Sequence, residues 1–178
     1  MKIAVLLPEG FEEIEAMTII DILRRGKQDV TVIALGDITV KSAQNVRVIA
    51  DLTLEAVNFQ DYGMLVMPGG PGADNYLGHD KVKEAAKEFL NNPDKLIGAI
   101  CAAPNILGQW NLMNGRKVTV YPTMEVRGAE IVKRKAIMDG NLITGAGPGA
   151  AADFALLLLL KITDAEVVRE LRDRMIFQ

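Results

Sequence analysis

The chain holds one cysteine and one histidine, and the cysteine stands where it could do chemistry. Cys101 lies in Gly98-Ala99-Ile100-Cys101-Ala102-Ala103-Pro104, between an apolar run and a helical pattern that opens at Ala103. A sharp strand-to-helix turn of this kind lifts a nucleophile to the edge of a sheet. The start of the following helix favours a thiolate and offers backbone N–H groups to an anion. Small residues on both sides let the backbone bend and a substrate approach. A free cysteine also serves as a small buried hydrophobe, so the spacing alone leaves both readings open.

A second group of interest is Glu9-Gly10-Phe11-Glu12-Glu13-Ile14-Glu15. Three of its four carboxylates can complement a helix N-terminus. Glu15 differs because it is set in the apolar stretch of the helix, beside Ile14 and four residues before Ile19. A glutamate held among apolar groups shifts toward its neutral form and can then donate a hydrogen bond; a solvated glutamate is the plainer alternative. His79 follows Leu77-Gly78 in a loop-like stretch and reads as a surface residue. One cysteine, one histidine and scattered carboxylates give no zinc-type ligand spacing, so no metal and no cofactor is expected. Gly69-Gly70-Pro71-Gly72 lacks the lysine and hydroxyl residue of a P-loop. Gly145-Ala146-Gly147-Pro148-Gly149 comes too late in the chain for a dinucleotide fingerprint.

These residues need a frame. The 178 residues suit one domain, 1–178, with no repeat or linker. Strand candidates are Ile3–Leu7, Val30–Leu35, a peripheral Val46–Ala50, Met64–Pro68, Leu96–Ile100 and Lys117–Tyr121. Ala136–Met138 and Leu142–Thr144 flank the hairpin signal Asp139-Gly140-Asn141. Helix candidates are Glu12–Arg25, Lys81–Leu90, Ala103–Trp110, Ala150–Leu160 and Asp164–Met175. Alternation of apolar strands with helices predicts an α/β fold, a mostly parallel sheet with helices on both faces. In such sheets ligands bind beyond the carboxyl ends of the strands, where the loops after Pro8, Pro68 and Ile100 would meet. Helix Glu12–Arg25 is apolar on two sides, so one side needs a second layer or another subunit.

A net charge of −3 gives no basic footprint for nucleic acid or an anionic membrane. The run Arg127–Lys135 reads as a solvated face. The longest apolar run, Phe154–Leu160, is far short of the ~20 residues that span a bilayer. With no signal-like start and a lone thiol, a cytoplasmic location is expected.

Four motifs in order, Glu9–Glu15, Met67-Pro68-Gly69-Gly70, Ala99–Pro104 and Gly147-Pro148-Gly149 before Phe154-Ala155, make the chain resemble the ThiJ/PfpI superfamily. The likeness runs from about Lys2 to Leu160 and is greatest to the parkinsonism-associated deglycase branch, whose activity is of the glyoxalase III type. The resemblance implies a flavodoxin-like three-layer sandwich and a homodimer. It implies Cys101 as nucleophile, Glu15 as its hydrogen-bonding partner, and Gly69, Gly70 and Ala102 around the substrate or oxyanion.

Three departures bear on the chemistry. Tyr121, before Pro122, stands where the superfamily usually carries histidine; tyrosine, with a pKa of ~10, is a poor base at neutral pH. Ala103 replaces a common glycine. Ala102 follows the cysteine where the superfamily's proteases carry histidine, which counts against a peptidase or amidotransferase. The resemblance therefore implies a cysteine-dependent, cofactor-independent enzyme acting on a small carbonyl substrate, a reactive dicarbonyl such as methylglyoxal or its adducts. The alternative is a thiol redox sensor or stress-response protein with an oxidisable Cys101 and little turnover. Helix Glu12–Arg25 is the expected dimer contact. Glu15 is expected to lower the pKa of the thiol by donating to it.

Overall fold

The computed structural model describes residues 1–177. In chain order the elements are β1 (Lys2–Leu7), α1 (Glu13–Arg25), β2 (Asp29–Ala34), β3 (Thr39–Lys41), β4 (Arg47–Ile49), β5 (Leu52–Thr53) and β6 (Met64–Met67). There follow α2 (Asp80–Asn91), β7 (Leu96–Ile100), α3 (Ala103–Gln109), β8 (Lys117–Val118), β9 (Glu130–Ile131), β10 (Ala136–Asp139) and β11 (Leu142–Gly145). Helices α4 (Ala151–Ile162) and α5 (Ala165–Arg174) close the chain.

Seven strands form one sheet in the order β10-β11-β7-β6-β1-β2-β5. All neighbours are parallel except the edge pair β10–β11, where Asp139 faces Leu142 across the hairpin. The all-apolar segments β6 and β7 are buried at every residue, as a sheet covered on both faces requires. From β1 the chain crosses to β2 in one direction, and from β6 to β7 and on to β11 in the other. Right-handed crossovers then place α1 on one face and α2 and α3 on the opposite one. Helix α4 returns to pack along α1, and α5 lies on α4. The result is the three-layer α/β sandwich the resemblance implied.

Of the two alternatives for the second side of α1, a second layer or another subunit, the structure has the first, and two expectations need correcting. The second apolar side of α1 is covered within the chain, by α4. Ile19, Ile20, Ile22 and Leu23 are buried, and only Ile14 (56% exposed) and Met17 (36%) reach solvent. The segment Lys117–Tyr121 is not a full strand. Pairing with β9 stops at Val118; on the other edge the Thr119 N–H donates to Thr144 Oγ1 at 2.9 Å. Tyr121 thus sits in a loop. His79 is half-buried as the residue that caps the start of α2. The peripheral strand near Val46–Ala50 does form, as β4 paired with β3 in a separate hairpin. No helix among the described residues is long and apolar enough to cross a membrane.

Candidate active site

The strand order reverses between β1 and β6, and the crevice at such a reversal is where open α/β sheets bind ligands. Three chain turns converge there. Cys101 follows β7 directly and adopts φ of +61°, a left-handed conformation that costs a non-glycine residue energy and collects at functional sites. The strained residue is pinned at both ends. Its N–H donates to Gly145 O at 2.9 Å, and its carbonyl accepts the Tyr121 N–H at 3.0 Å.

Beneath it lies Glu15, in the first turn of α1 and fully buried. Its Oε2 accepts the Gly69 N–H at 2.8 Å, while Oε1 is buried without a partner of hydrogen-bond geometry. The Gly69 carbonyl in turn accepts the Glu12 N–H at 3.0 Å, so the loop after β6 is sewn to the start of α1. Gly69 must lack a side chain. A Cβ there would stand 2.7 Å from both Cys101 Cβ and Ile100 O, and 2.8 Å from Ala102 N. Gly70 has φ of +103°, and a Cβ on it would press into the Glu12 backbone nitrogen. The N–H groups of Gly70 and Ala102 lie near enough to the thiol to favour its anion.

Burial pushes the Glu15 carboxyl up from 4.5 to about 7; the Gly69 N–H and the Cys101 thiol oppose the shift, and the charge of Glu12 adds to it. The thiol moves the other way from the sequence expectation. Burial first, then the charge and nearness of the Glu15 carboxylate, push Cys101 up to about 12, against the two N–H groups. Helix α3 has seven residues, and its terminus does not outweigh this desolvation. The sequence reading cast Glu15 as a donor that eases ionisation. That holds only below about pH 7, where Glu15 is neutral; above it the carboxylate holds the proton on sulfur.

Cys101, Glu15, Gly69, Gly70 and Ala102 are therefore brought together. Tyr121 is beside them: its side chain lines a cleft of about 300 Å³ that opens over Cys101, and it is 42% exposed. Glu12, Pro71, Met124 and Pro148 complete the walls. The sequence reading gave none of these four a place in the site. Pro148 belonged to a quoted motif, but Met124 carries no signal in sequence beyond its nearness to Tyr121. His79 does not line the cleft. A wider depression of about 640 Å³, walled by Val57, Phe59, Lys81 and Glu88 among others, does not include Cys101.

Comparisons with known proteins give the chain its relatives. The DJ-1/PfpI family profile matches residues 1–161. Protein dj-1beta of Drosophila melanogaster is 36% identical over 171 residues, covering 93% of this chain and 91% of that protein. Glutathione-independent glyoxalase DJR-1.2 of Caenorhabditis elegans is 30% identical over 169 residues, covering 93% and 90%. Protein DJ-1 homolog B of Arabidopsis thaliana is 35% identical over 170 residues, but the chain spans 39% of that longer protein. Among solved structures, a variant of a DJ-1 superfamily protein from Salmonella typhimurium superposes with a TM-score of 0.93 at 34% identity, covering 99% of this chain and 98% of that one. The chain belongs to the DJ-1/PfpI family.

Proposed function

We propose that the chain converts small 2-oxoaldehydes such as methylglyoxal to the 2-hydroxy acid, with Cys101 as nucleophile and Glu15 as proton carrier. The observation that carries this reading is the buried Glu15 carboxyl, held at about 7 against the only thiol of the chain. A proton carrier works best when its pKa lies near the working pH. The printed name of the nematode relative, a glutathione-independent glyoxalase, supports the same chemistry.

The Glu15 carboxylate takes the thiol proton as sulfur adds to the aldehyde carbon. The resulting alkoxide lies against the Gly70 and Ala102 N–H groups and regains that proton from Glu15, giving a hemithioacetal. Glu15 then removes the C1 proton to form an enediol and returns it to C2, leaving a 2-hydroxy thioester. Water cleaves the thioester, releasing lactate and the free thiol. The sum is methylglyoxal plus water to lactate, with no net oxidation.

Tyr121 supplies hydrogen bonding but no base at neutral pH. Loss of one general acid–base partner costs about a hundred-fold to ten-thousand-fold, so slow turnover is expected. Tyr121→Phe should cost little, and Tyr121→His should increase the rate. The test is lactate formation by pure protein with a Cys101→Ala control. No lactate above that control removes the enzyme reading and leaves the thiol sensor, which the half-exposed Tyr121 in place of a base favours. In that case mild peroxide should add two oxygens at Cys101.

A further inference from the structure

Tyr76 is wholly buried in the 3-10 segment Pro71–Gly78, and the chemistry above gives it no part. A buried phenol requires a partner, and this one donates from Oη to Pro68 O at 2.9 Å. The Pro68 carbonyl and the Gly69 N–H belong to a single peptide unit. That N–H is the one that donates to Glu15 Oε2 at 2.8 Å. Phenol, peptide and carboxyl thus form one line of two hydrogen bonds. A donor on a peptide oxygen draws electron density toward it, polarises the N–H at the other end and strengthens the bond that N–H makes. A stronger bond to a carboxyl favours its charged form.

We propose that Tyr76 is a positioning residue that sets the proton affinity of Glu15 through the Pro68–Gly69 peptide. The inference deepens the reading of Glu15 as proton carrier and rests on it for its catalytic meaning. A phenylalanine would fill the same space, so packing alone does not account for the hydroxyl. Three ionisable groups bear on Glu15: Cys101 at the end of β7, Glu12 at the start of α1, and Tyr76 from the 3-10 segment. The charge of Glu15 in turn pushes the phenol up, after burial has done so. Tyr76 therefore stays protonated, and a donor, across the working range.

The test isolates Glu15 from its thiol partner. In Cys101→Ser protein, the Glu15 carboxyl carbon is titrated by 13C NMR. Adding Tyr76→Phe should raise the midpoint by about half a unit, since one polarising donor is lost. Placing 3-fluorotyrosine at position 76 makes the phenol more acidic and a better donor, so the midpoint should fall. A merely structural role cannot move the two variants in opposite directions. An unchanged midpoint, or shifts of the same sign in both, overturns the proposal. Should Tyr76→Phe fail to fold, the fluorotyrosine shift decides alone. The midpoints do not depend on turnover. Absence of lactate formation in the wild type would refute the enzyme reading without touching them.

Discussion

At the scale of single residues, Cys101 keeps its proton at neutral pH while Glu15 is midway through losing its own, and a charge on either opposes a charge on the other. Above about pH 7 the Glu15 carboxylate raises the thiol. Replacing it with Gln removes that charge while the amide can still donate to sulfur. Glu15→Gln should therefore speed iodoacetamide alkylation of Cys101 by about tenfold or more at pH 8, one factor of ten per unit of pKa. The gain should shrink toward pH 6, where Glu15 is already neutral. Intact-mass time courses across that range check this, and superimposable curves would mean the two side chains are not coupled.

The same carboxyl leaves a mark on stability. Its folded pKa, about 7, lies above its ordinary 4.5. The native state thus holds a proton that the unfolded state has released between those values. The stabilisation is complete below 4.5 and is lost as pH rises through 7, by about 3 kcal/mol in all. Chemical unfolding of the wild type from pH 4.5 to 8 should show this decline, and Glu15→Gln should flatten it. A wild-type profile as flat as that of the variant would show that Glu15 is not buried as a neutral group.

Among the elements, the sheet has a clamp at the end opposite the cleft. The Nδ2 of Asn141, in the β10–β11 turn, lies 2.8 to 3.2 Å from the carbonyls of Phe89, Leu90, Asn92 and Lys95, which share its two N–H donors. It ties the end of α2 and the start of β7 to the hairpin. Removing a partner from half-buried carbonyls costs about 1–3 kcal/mol. Asn141→Leu should lower stability by about that amount in urea melts while leaving Cys101 alkylation unchanged. A variant that alkylates differently would show that the two ends of the sheet are mechanically linked.

The elements were legible because their apolar runs are long and closed by glycine or proline. The over-reading of Lys117–Tyr121 comes from its Val-Thr-Val alternation, which is strand-like although pairing with β9 covers only Lys117 and Val118. Cys101 and Glu15 stand out because each breaks the pattern around it, a thiol at a turn and a carboxyl in an apolar helix face, but spacing leaves both open and only the family resemblance assigns them to a site. Tyr76 does not stand out, because its role depends on how the chain folds back onto Pro68. The direction of the thiol shift was also hidden. Sequence shows the helix that follows Cys101, whereas the weight of burial appears only in three dimensions.

For the whole molecule, the homodimer expected from α1 becomes a narrower proposal now that α4 covers much of that helix. The β3–β4 hairpin leans on the start of α1, where Glu13 Oε1 accepts from Ser42 Oγ at 2.9 Å and from the Gln44 N–H at 3.1 Å. Ile14, Met17 and Val46, 36% to 56% exposed, project from these two adjoining pieces. We propose that they form the centre of a two-fold contact. Light scattering at micromolar concentration should give twice the chain mass, and Met17→Glu should halve it. A monomeric wild type ends the proposal.

The floor beneath Cys101 has a wider meaning. Apart from the Glu15 carboxyl, the groups there that favour an anion are backbone, the Gly70 and Ala102 N–H groups. Amino-acid replacement acts on side chains, so the groups that hold an anion in place can scarcely be altered one substitution at a time. What such replacement can reach are the walls, Glu12, Tyr121 and Met124. A protein assembled in this way can change which molecules it admits without rebuilding the apparatus that receives them.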